Sequence, residues 1–514
     1  MASNKEEEEE ELKEVLYDTE ALKRKSVSGF GWAVLQQGLG RIISFTVMLL
    51  LARFLTPEDF GALAAVAILT DIAHVLSDGG FGASLARSPK IDERDINTVF
   101  YFNLAMSGVC YLIIFIAAPW IADFFQARHL VPLMRVQSLS LFLGALGMIQ
   151  WILIWRAMNF RAQTWCSAGA TLVGGAVGCT MAYLGYGPWA LVAQTLAQAF
   201  AFMVFNWYAS WWRPKLIFSV PHVKKHFAFG SRIATTKILG VIYEKLSTIL
   251  IARFFSQREL GLFNQAKTFE RVPVSILSDP ITQTTSPVFM RVQDDIEHLK
   301  AGYRRAQRLL FQLSTPVILA LIILSKPLYL FLFGEKWMEA APLFQVLCVN
   351  GLLYPINSYN ANIVQLKGRS DLYLNMDIAR KVLEFIAMII GLWAGGIYGL
   401  AWALAVAQVF NLFINTHYSG QLLHFPLREQ LGELFPLFLL GLVSGALVWL
   451  LDTFLMACWA PFWRLALGGV TMAASYVALL WLFSREDLLY IWDYAYHHIL
   501  KRPSKASTST PNED

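Results

Sequence analysis

The feature that most constrains this chain is a repeat set inside apolar runs. Ala52-Arg53-Phe54 followed by Glu58-Asp59-Phe60-Gly61 returns as Ala252-Arg253-Phe254 followed by Arg258-Glu259-Leu260-Gly261. Each copy lies between two hydrophobic stretches long enough to cross a bilayer, so the duplicated unit is membrane-embedded. Flanking matches extend it: Phe30-Gly31 answers Phe229-Gly230, and Leu76-Ser77-Asp78 answers Leu277-Ser278-Asp279. Six hydrophobic spans fit between the copies, and an even number returns the chain to the same side, so the halves are parallel. Parallel halves related by an axis along the membrane normal suit a cleft that opens alternately to the two sides.

Composition agrees with a polytopic membrane protein. Hydrophobic residues make up 56% of the chain and charged residues 15%, which excludes a multidomain soluble protein. The cysteines Cys110, Cys166, Cys179, Cys348 and Cys458 lie in or beside apolar runs with no metal-ligand spacing, and read as small buried side chains. Lys and Arg are spread among short loops, which speaks against a nucleic-acid partner. Glu6 to Glu11 form an acidic run where a cleavable signal would be basic, so no cleavable signal is expected and the segment reads as a solvated, disordered tail.

At roughly twenty residues per span, the chain divides into fourteen segments. They lie near 28–55, 59–83, 97–119, 131–155, 163–184, 187–211, 227–254, 259–287, 305–332, 341–365, 372–394, 396–418, 434–455 and 463–483. The expected organisation is an acidic tail (1–25), a six-helix bundle (26–212), a linker (213–226), a second six-helix bundle (227–420), an extra helix pair (421–484) and a final tail (485–514). Pro273 and Pro280 should interrupt the eighth span. Lys and Arg favour the loops on the N-terminal side by roughly threefold, as at Lys23-Arg24-Lys25, Lys224-Lys225 and Arg304-Arg305, so both termini are expected in the cytoplasm. The longest internal connections are expected around Arg213 to His226 and Arg291 to Arg308. Trp207, Trp211, Trp212, Tyr490, Trp492 and Tyr494 read as interfacial anchors. Gly174, Gly175 and Gly178 read as a close packing face.

Ionisable residues at membrane depth cost on the order of 3 kcal/mol each on insertion scales and are functional candidates. They cluster on the first two spans of each half. Arg41, Asp71 and His74 lie in spans one and two; Lys237, Glu244, Lys245, Lys267, Glu270 and Arg271 lie in spans seven and eight. Spacing places Asp71, His74 and Asp78 on one helix face. Together these residues predict a polar central cavity, where five cations against three anions leave about two positive charges at membrane depth. A cationic cavity suits an anionic substrate, and arginine matches phosphate oxygens bidentately. In span eleven, Asp377 with Lys381 and Arg380 with Glu384 can pair at i,i+4. Asn357, Asn360, Glu384, Asn411 and Asn415 are a candidate oxygen-rich site for a coupling cation.

The stretches Leu51-Ala52-Arg53-Phe54-Leu55-Thr56-Pro57-Glu58-Asp59-Phe60-Gly61, Asp78-Gly79-Gly80-Phe81-Gly82, Leu260-Gly261-Leu262-Phe263-Asn264-Gln265-Ala266 and Phe333-Gly334-Glu335-Lys336-Trp337 resemble the Wzx-type oligosaccharide flippases. The likeness covers roughly residues 25–485 and is nearest to the colanic-acid and lipopolysaccharide branch of the polysaccharide transporter family. That family belongs to the superfamily of the lipid II flippase MurJ and the MATE exporters. The resemblance implies an all-α membrane protein of about fourteen spans, with two parallel-repeat six-helix bundles in a V and a C-terminal helix pair. It further implies translocation of an undecaprenyl-pyrophosphate-linked oligosaccharide to the outer leaflet of the inner membrane, beside polysaccharide polymerase or export machinery. No cofactor is implied beyond a coupling proton or sodium ion, and Arg41, Lys267 and Arg271 match the family's cationic cavity positions by location.

A MATE-like antiporter of organic cations would want an anionic or aromatic cavity. A membrane polymerase or ligase acting on the same lipid would want a large external domain and an acidic base. Glu58-Asp59 recurs as Arg258-Glu259, which reads as a structural turn and not as catalysis.

Overall fold

The computed structural model describes residues 38–88 and 91–483, and every regular element among them is helical. The acidic run, Lys23-Arg24-Lys25, Phe30-Gly31 and the aromatic residues at 490–494 lie outside the described residues. The chain forms two compact units, one through Asn264 and one from Gln265 onward.

The first unit holds α1 (38–54), α2 (Pro57–Asp78), α3 (Phe81–Arg87), α4 (Glu93–Phe124), α5 (Leu130–Gln137), α6 (Ser140–Arg156), α7 (Phe160–Tyr183), α8 (Pro188–Ala209) and α9 (Val220–Phe254). Helix α10 (Gln257–Arg291) begins in it and continues into the second unit, which adds α11 (Ile296–Ile323), α12 (Ser325–Leu332), α13 (Ala340–Leu366), α14 (Ser370–Leu423), α15 (Leu427–Leu450) and α16 (Pro461–Phe483).

The repeated motif is a helix start. Thr56 and Asp59 form a capping box, with the Thr56 N–H donating to Asp59 at 2.9 Å and Pro57 opening the helix. In the second copy the Ser256 N–H donates to Glu259 at 3.0 Å and the Glu259 N–H donates back to Ser256 Oγ at 3.2 Å. Both copies thus satisfy orphan donors at a helix N-terminus, and the turn reading of Glu58-Asp59 follows from this geometry. At the other end of α2, Gly79 caps the helix at φ 55°, which glycine adopts without strain.

Among the described residues, ten helical stretches are long and apolar enough to cross a membrane. One of them, α14, is two helical segments joined at Gly395 and Gly396, the latter at φ 59°. Helices α9 and α10, which carry the charged constellation, fall outside the ten. Many large apolar side chains face outward, among them Ile113, Ile116 and Trp120 on α4 and Ile390 and Trp393 on α14. So much exposed apolar surface is stable in lipid and not in water, and the chain is a multi-pass membrane protein.

Packing follows small residues. A Cβ on Gly174 would lie 2.6 Å from Gln198 Cβ, and one on Gly178 would lie 2.7 Å from Gln194 Cβ, so α7 and α8 pack closely along the expected glycine face. Closer still is the crossing of α2 with the start of α10. A Cβ on Gly61 would meet the Gln257 carbonyl oxygen at 1.9 Å, and one on Gly261 would meet the Pro57 oxygen at 1.8 Å. The two contacts are reciprocal between positions two hundred apart. At the opposite end of α2, a Cβ on Gly80 would lie 2.1 Å from the Gly230 oxygen of α9.

Four expectations need correction. Helix α10 runs without interruption past Pro273 and Pro280, because neighbouring groups in a packed bundle can absorb the lost backbone bond. The connection after Arg291 is only a short turn, since α11 already begins at Ile296 and carries Arg304, Arg305 and Arg308. Trp212 is core, 2% exposed with its ring 5.6 Å from that of Phe100, and does not anchor at an interface. Cys458 is exposed, whereas Cys110, Cys166 and Cys348 are buried.

Candidate functional site

The first unit assembles most of the predicted charges along one helix pair. Helix α2 and the elements next to it supply carboxylates, while α9 and the start of α10 supply cations. Glu58 pairs with Arg258 at 2.9 Å, Asp71 with Lys245 at 2.6 Å, Asp78 with Lys237 at 3.6 Å and Asp95 with Lys225 at 3.1 Å. The rungs climb α2 in one direction and α9 in the other, as two helices running oppositely require. In every rung the acid comes from residues 58–95 and the base from residues 225–258.

The rungs differ in burial, which sets their strength. The Asp95 side chain is 3% exposed and is held from several sides: Lys225 Nζ at 3.1 Å, His226 Nε2 at 3.1 Å and its own capping box with Asp92. Ser84 Oγ of α3 completes the cluster at 2.8 Å from His226 Nδ1. Asp78 is pinned twice, since its Oδ1 also accepts the Gly82 N–H at 2.9 Å and so starts α3. Asp71 and Lys245 are more open, with side chains 42% and 27% exposed.

Other predicted residues sit as follows. His74 packs on α6, where its Cε1 lies 3.2 Å from the place a Cβ on Gly144 would take, while Asp71 and Asp78 reach α9. Arg41 lies half-buried in α1, and Glu244, beside Lys245, is exposed. In the second unit Lys267, Glu270 and Arg271 share α10, and Glu270 packs on α13, where a Cβ on Gly351 would meet its Oε1 at 2.5 Å. Around it Phe269 stacks on Phe344 with centroids 5.1 Å apart, and Tyr329 donates to Gln265 at 2.9 Å.

The candidate cation site is an amide network. Asn415 Nδ2 donates to Asn357 Oδ1 at 3.2 Å, Asn357 Nδ2 to Gln408 Oε1 at 2.9 Å and Asn360 Nδ2 to Gln430 Oε1 at 3.1 Å, while Ser419 donates to Asn360 Oδ1. Arg380 donates to Asn415 Oδ1 at 3.1 Å and to Asp377 at 3.0 Å, and Lys381 reaches Asp377 at 2.7 Å. Asp377 thus takes both cations. Asn357, Asn360 and Asn415 are brought together, with their oxygens accepting N–H or O–H donors, so an incoming cation would have to displace those donors. Asn411 Oδ1 is buried without a hydrogen-bond partner among the described residues.

Sequence reading missed Asp95, His226 and Ser84. Nothing in spacing marks them, since their contacts join residues more than a hundred positions apart. The signal that was available, the capping pattern Asp92-x-x-Asp95, identifies a helix start and no more.

The fold and the sequence both have known counterparts. The structure resembles the lipid II flippase MurJ in its inward closed conformation, with a TM-score of 0.72 at 14% identity over 88% of this chain and 98% of that one. A multidrug resistance MATE family transporter in an inward-facing conformation gives 0.57 at 17% identity, over 76% of this chain and 98% of that one. In sequence, the teichuronic acid biosynthesis protein TuaB of Bacillus subtilis is 24% identical over 83% of this chain and 88% of its own length. The lipopolysaccharide biosynthesis protein WzxC of Escherichia coli is 25% identical over 77% and 81%. The succinoglycan biosynthesis transport protein ExoT of Rhizobium meliloti is 26% identical over 68% and 71%. Residues 50–342, more than half of the chain and including every rung of the charge ladder, match the family described as polysaccharide biosynthesis protein, and the chain belongs to that family.

Proposed function

We propose that this protein is a flippase that carries a polyprenyl-diphosphate-linked oligosaccharide from the cytoplasmic to the outer leaflet of the inner membrane for polysaccharide biosynthesis. The observation that carries the reading is the ladder: in a protein of largely apolar helices, α9 sets Lys237 and Lys245 against the carboxylates Asp78 and Asp71 of α2. Ionisable groups are retained there at a cost, and the usual reason is a polar substrate or ion path. Family membership and relatives whose names concern teichuronic acid, lipopolysaccharide and succinoglycan support a glycan-linked cargo.

In this reading the chain spans the membrane fourteen times with both termini in the cytoplasm. The fourteen are the ten apolar helices with α14 divided at its glycine kink, plus α1, α9 and α10. The duplicated halves are parallel, a reading supported by the reciprocal Gly61 and Gly261 contacts. Within each unit the cations attract the diphosphate: Arg41, Lys237 and Lys245 in the first, Lys267 and Arg271 in the second. Asp71, His74, Glu244 and Glu270 set the local charge. The polyprenyl tail stays in lipid, and no bond is made or broken. Alternating closure at the Gly61–Gly261 and Gly80–Gly230 ends exposes the headgroup to each side in turn. A proton or sodium gradient supplies the drive, with Asn357, Asn360, Glu384, Asn411 and Asn415 as the candidate coupling region, and a polysaccharide polymerase takes the product.

The test uses vesicles containing the purified full chain and a labelled polyprenyl-diphosphate oligosaccharide. The label should become accessible on the opposite leaflet with its glycosidic and diphosphate bonds intact. Chemical change of the lipid would indicate an enzyme instead, and export of ethidium without lipid movement would indicate a cation antiporter.

A further inference from the structure

The four rungs of the ladder are not equivalent. Asp95 is buried and bonded to Lys225 and His226, and Asp78 is tied to the start of α3 through the Gly82 N–H. Glu58 and Arg258 lie beside the tight Gly61–Gly261 crossing. These three rungs have a second structural task next to their ion pair. The Asp71–Lys245 pair lies between the two glycine crossings, is the shortest of the four at 2.6 Å and has side chains 42% and 27% exposed. It is a short contact between partly exposed side chains.

An ammonium at membrane depth needs a negative partner in every state of the protein, because an uncompensated charge there is costly. In the empty state Asp71 supplies it. A diphosphate offers more charge and more acceptor oxygens than a carboxylate and makes stronger charge-assisted bonds. We propose that Asp71 is a built-in substitute for the substrate diphosphate on Lys245: the diphosphate displaces the carboxylate when cargo enters, and the carboxylate returns to expel it. This rests on the flippase reading and adds to it a residue for selectivity and release. A lipid-linked sugar without a charged linkage leaves Asp71 in place and gains nothing from Lys245. An anionic linkage exchanges one partner for a better one, and the waiting carboxylate keeps binding from becoming a trap.

The test measures binding of farnesyl diphosphate, which has the charged group but no glycan, to the detergent-purified full chain. Asp71→Asn should bind it more tightly, by roughly fivefold, the scale of freeing one partly exposed ion pair. Lys245→Gln should bind it more weakly, and Asp71→Asn combined with Lys245→Gln should match Lys245→Gln alone, since the carboxylate acts only through that ammonium. In vesicles, Asp71→Asn should flip the lipid-linked oligosaccharide more slowly despite tighter binding. Asp71→Ser repeats the measurement if the amide impairs folding. Binding by Asp71→Asn or Asp71→Ser that is no tighter than wild type would overturn the proposal and mark the pair as a simple helix tie. If no variant binds the diphosphate while wild type still flips lipid, this proposal falls and the flippase reading stands. If neither binding nor flipping occurs, both fall.

Discussion

Glu58 and Arg258 are joined by a 2.9 Å salt bridge, and each is the second residue of its helix, two hundred positions apart in matching copies of one motif. The two copies carry opposite charges at this position, so they attract where the helices cross. Two like charges there would repel. A like-charge pair, Glu58→Arg or Arg258→Glu, should therefore reduce transport, while the exchanged pair Glu58→Arg with Arg258→Glu should restore most of it. The effect on folding should be small, since a half-exposed pair contributes about 0–1 kcal/mol. Flipping assays on the three variants check this; failure of the exchange to rescue would deny the pair a direct role.

The glycine crossing beside it should be far less tolerant. With carbonyl oxygens 1.9 and 1.8 Å from the places where a Cβ would stand, Gly61→Ala and Gly261→Ala must push α2 and α10 apart. Overpacking of this kind costs about 1–3 kcal/mol, and transport should fall with the closure. Gly469→Ala, with open space within 4 Å, is the control and should leave thermal stability and flipping unchanged.

The Asp95 cluster should be the rung least tolerant of change. The side chain is 3% exposed and bonded to Lys225 and His226, so removing its charge leaves buried donors short of an acceptor. Asp95→Asn should lower thermal stability by about 1–3 kcal/mol, and Lys225→Gln should lower it less because that side chain is 54% exposed. Thermal melts of the purified full chain check this; equal stability of Asp95→Asn and wild type would deny the cluster a stabilising role.

Topology can be read with single cysteines. In a variant lacking the native cysteines, Tyr186→Cys and Gly395→Cys should react with an impermeant external thiol reagent, and Lys224→Cys should not. Tyr186 and Lys224 are both exposed, so accessibility depends on the side of the membrane. The reverse pattern would invert the orientation derived from the Lys and Arg bias.

The proposed reading assigns Arg41 of the first unit and Arg271 of the second to the path of the anionic cargo. Replacement of either by Ala should abolish flipping with little change in membrane protein level, and Lys should rescue only in part because it lacks the bidentate fork. Full activity of both Ala variants would remove them from the path.

Sequence by itself determined the class of this protein. Long apolar runs admit only a helical membrane fold, and the repeated start signals Thr56-Pro57 and Ser256-Gln257 are local chemistry that the structure reproduces as helix caps. The charged residues of α2, α9 and α10 stood out because charge at membrane depth is rare. Tertiary structure decided which of them meet. Helical periodicity placed Asp71, His74 and Asp78 together, but only the packing of α2 against α9 and α6 gives the two carboxylates Lys245 and Lys237 and sets His74 against Gly144. It also decided that Asp377 takes both Arg380 and Lys381, where i,i+4 spacing had divided them, and that Trp212 is core. The Asp95–His226–Ser84 cluster had no sequence signal. Periodicity describes one helix at a time, and the partner of a buried charge is chosen by whichever distant helix the packing brings within 3 Å or so.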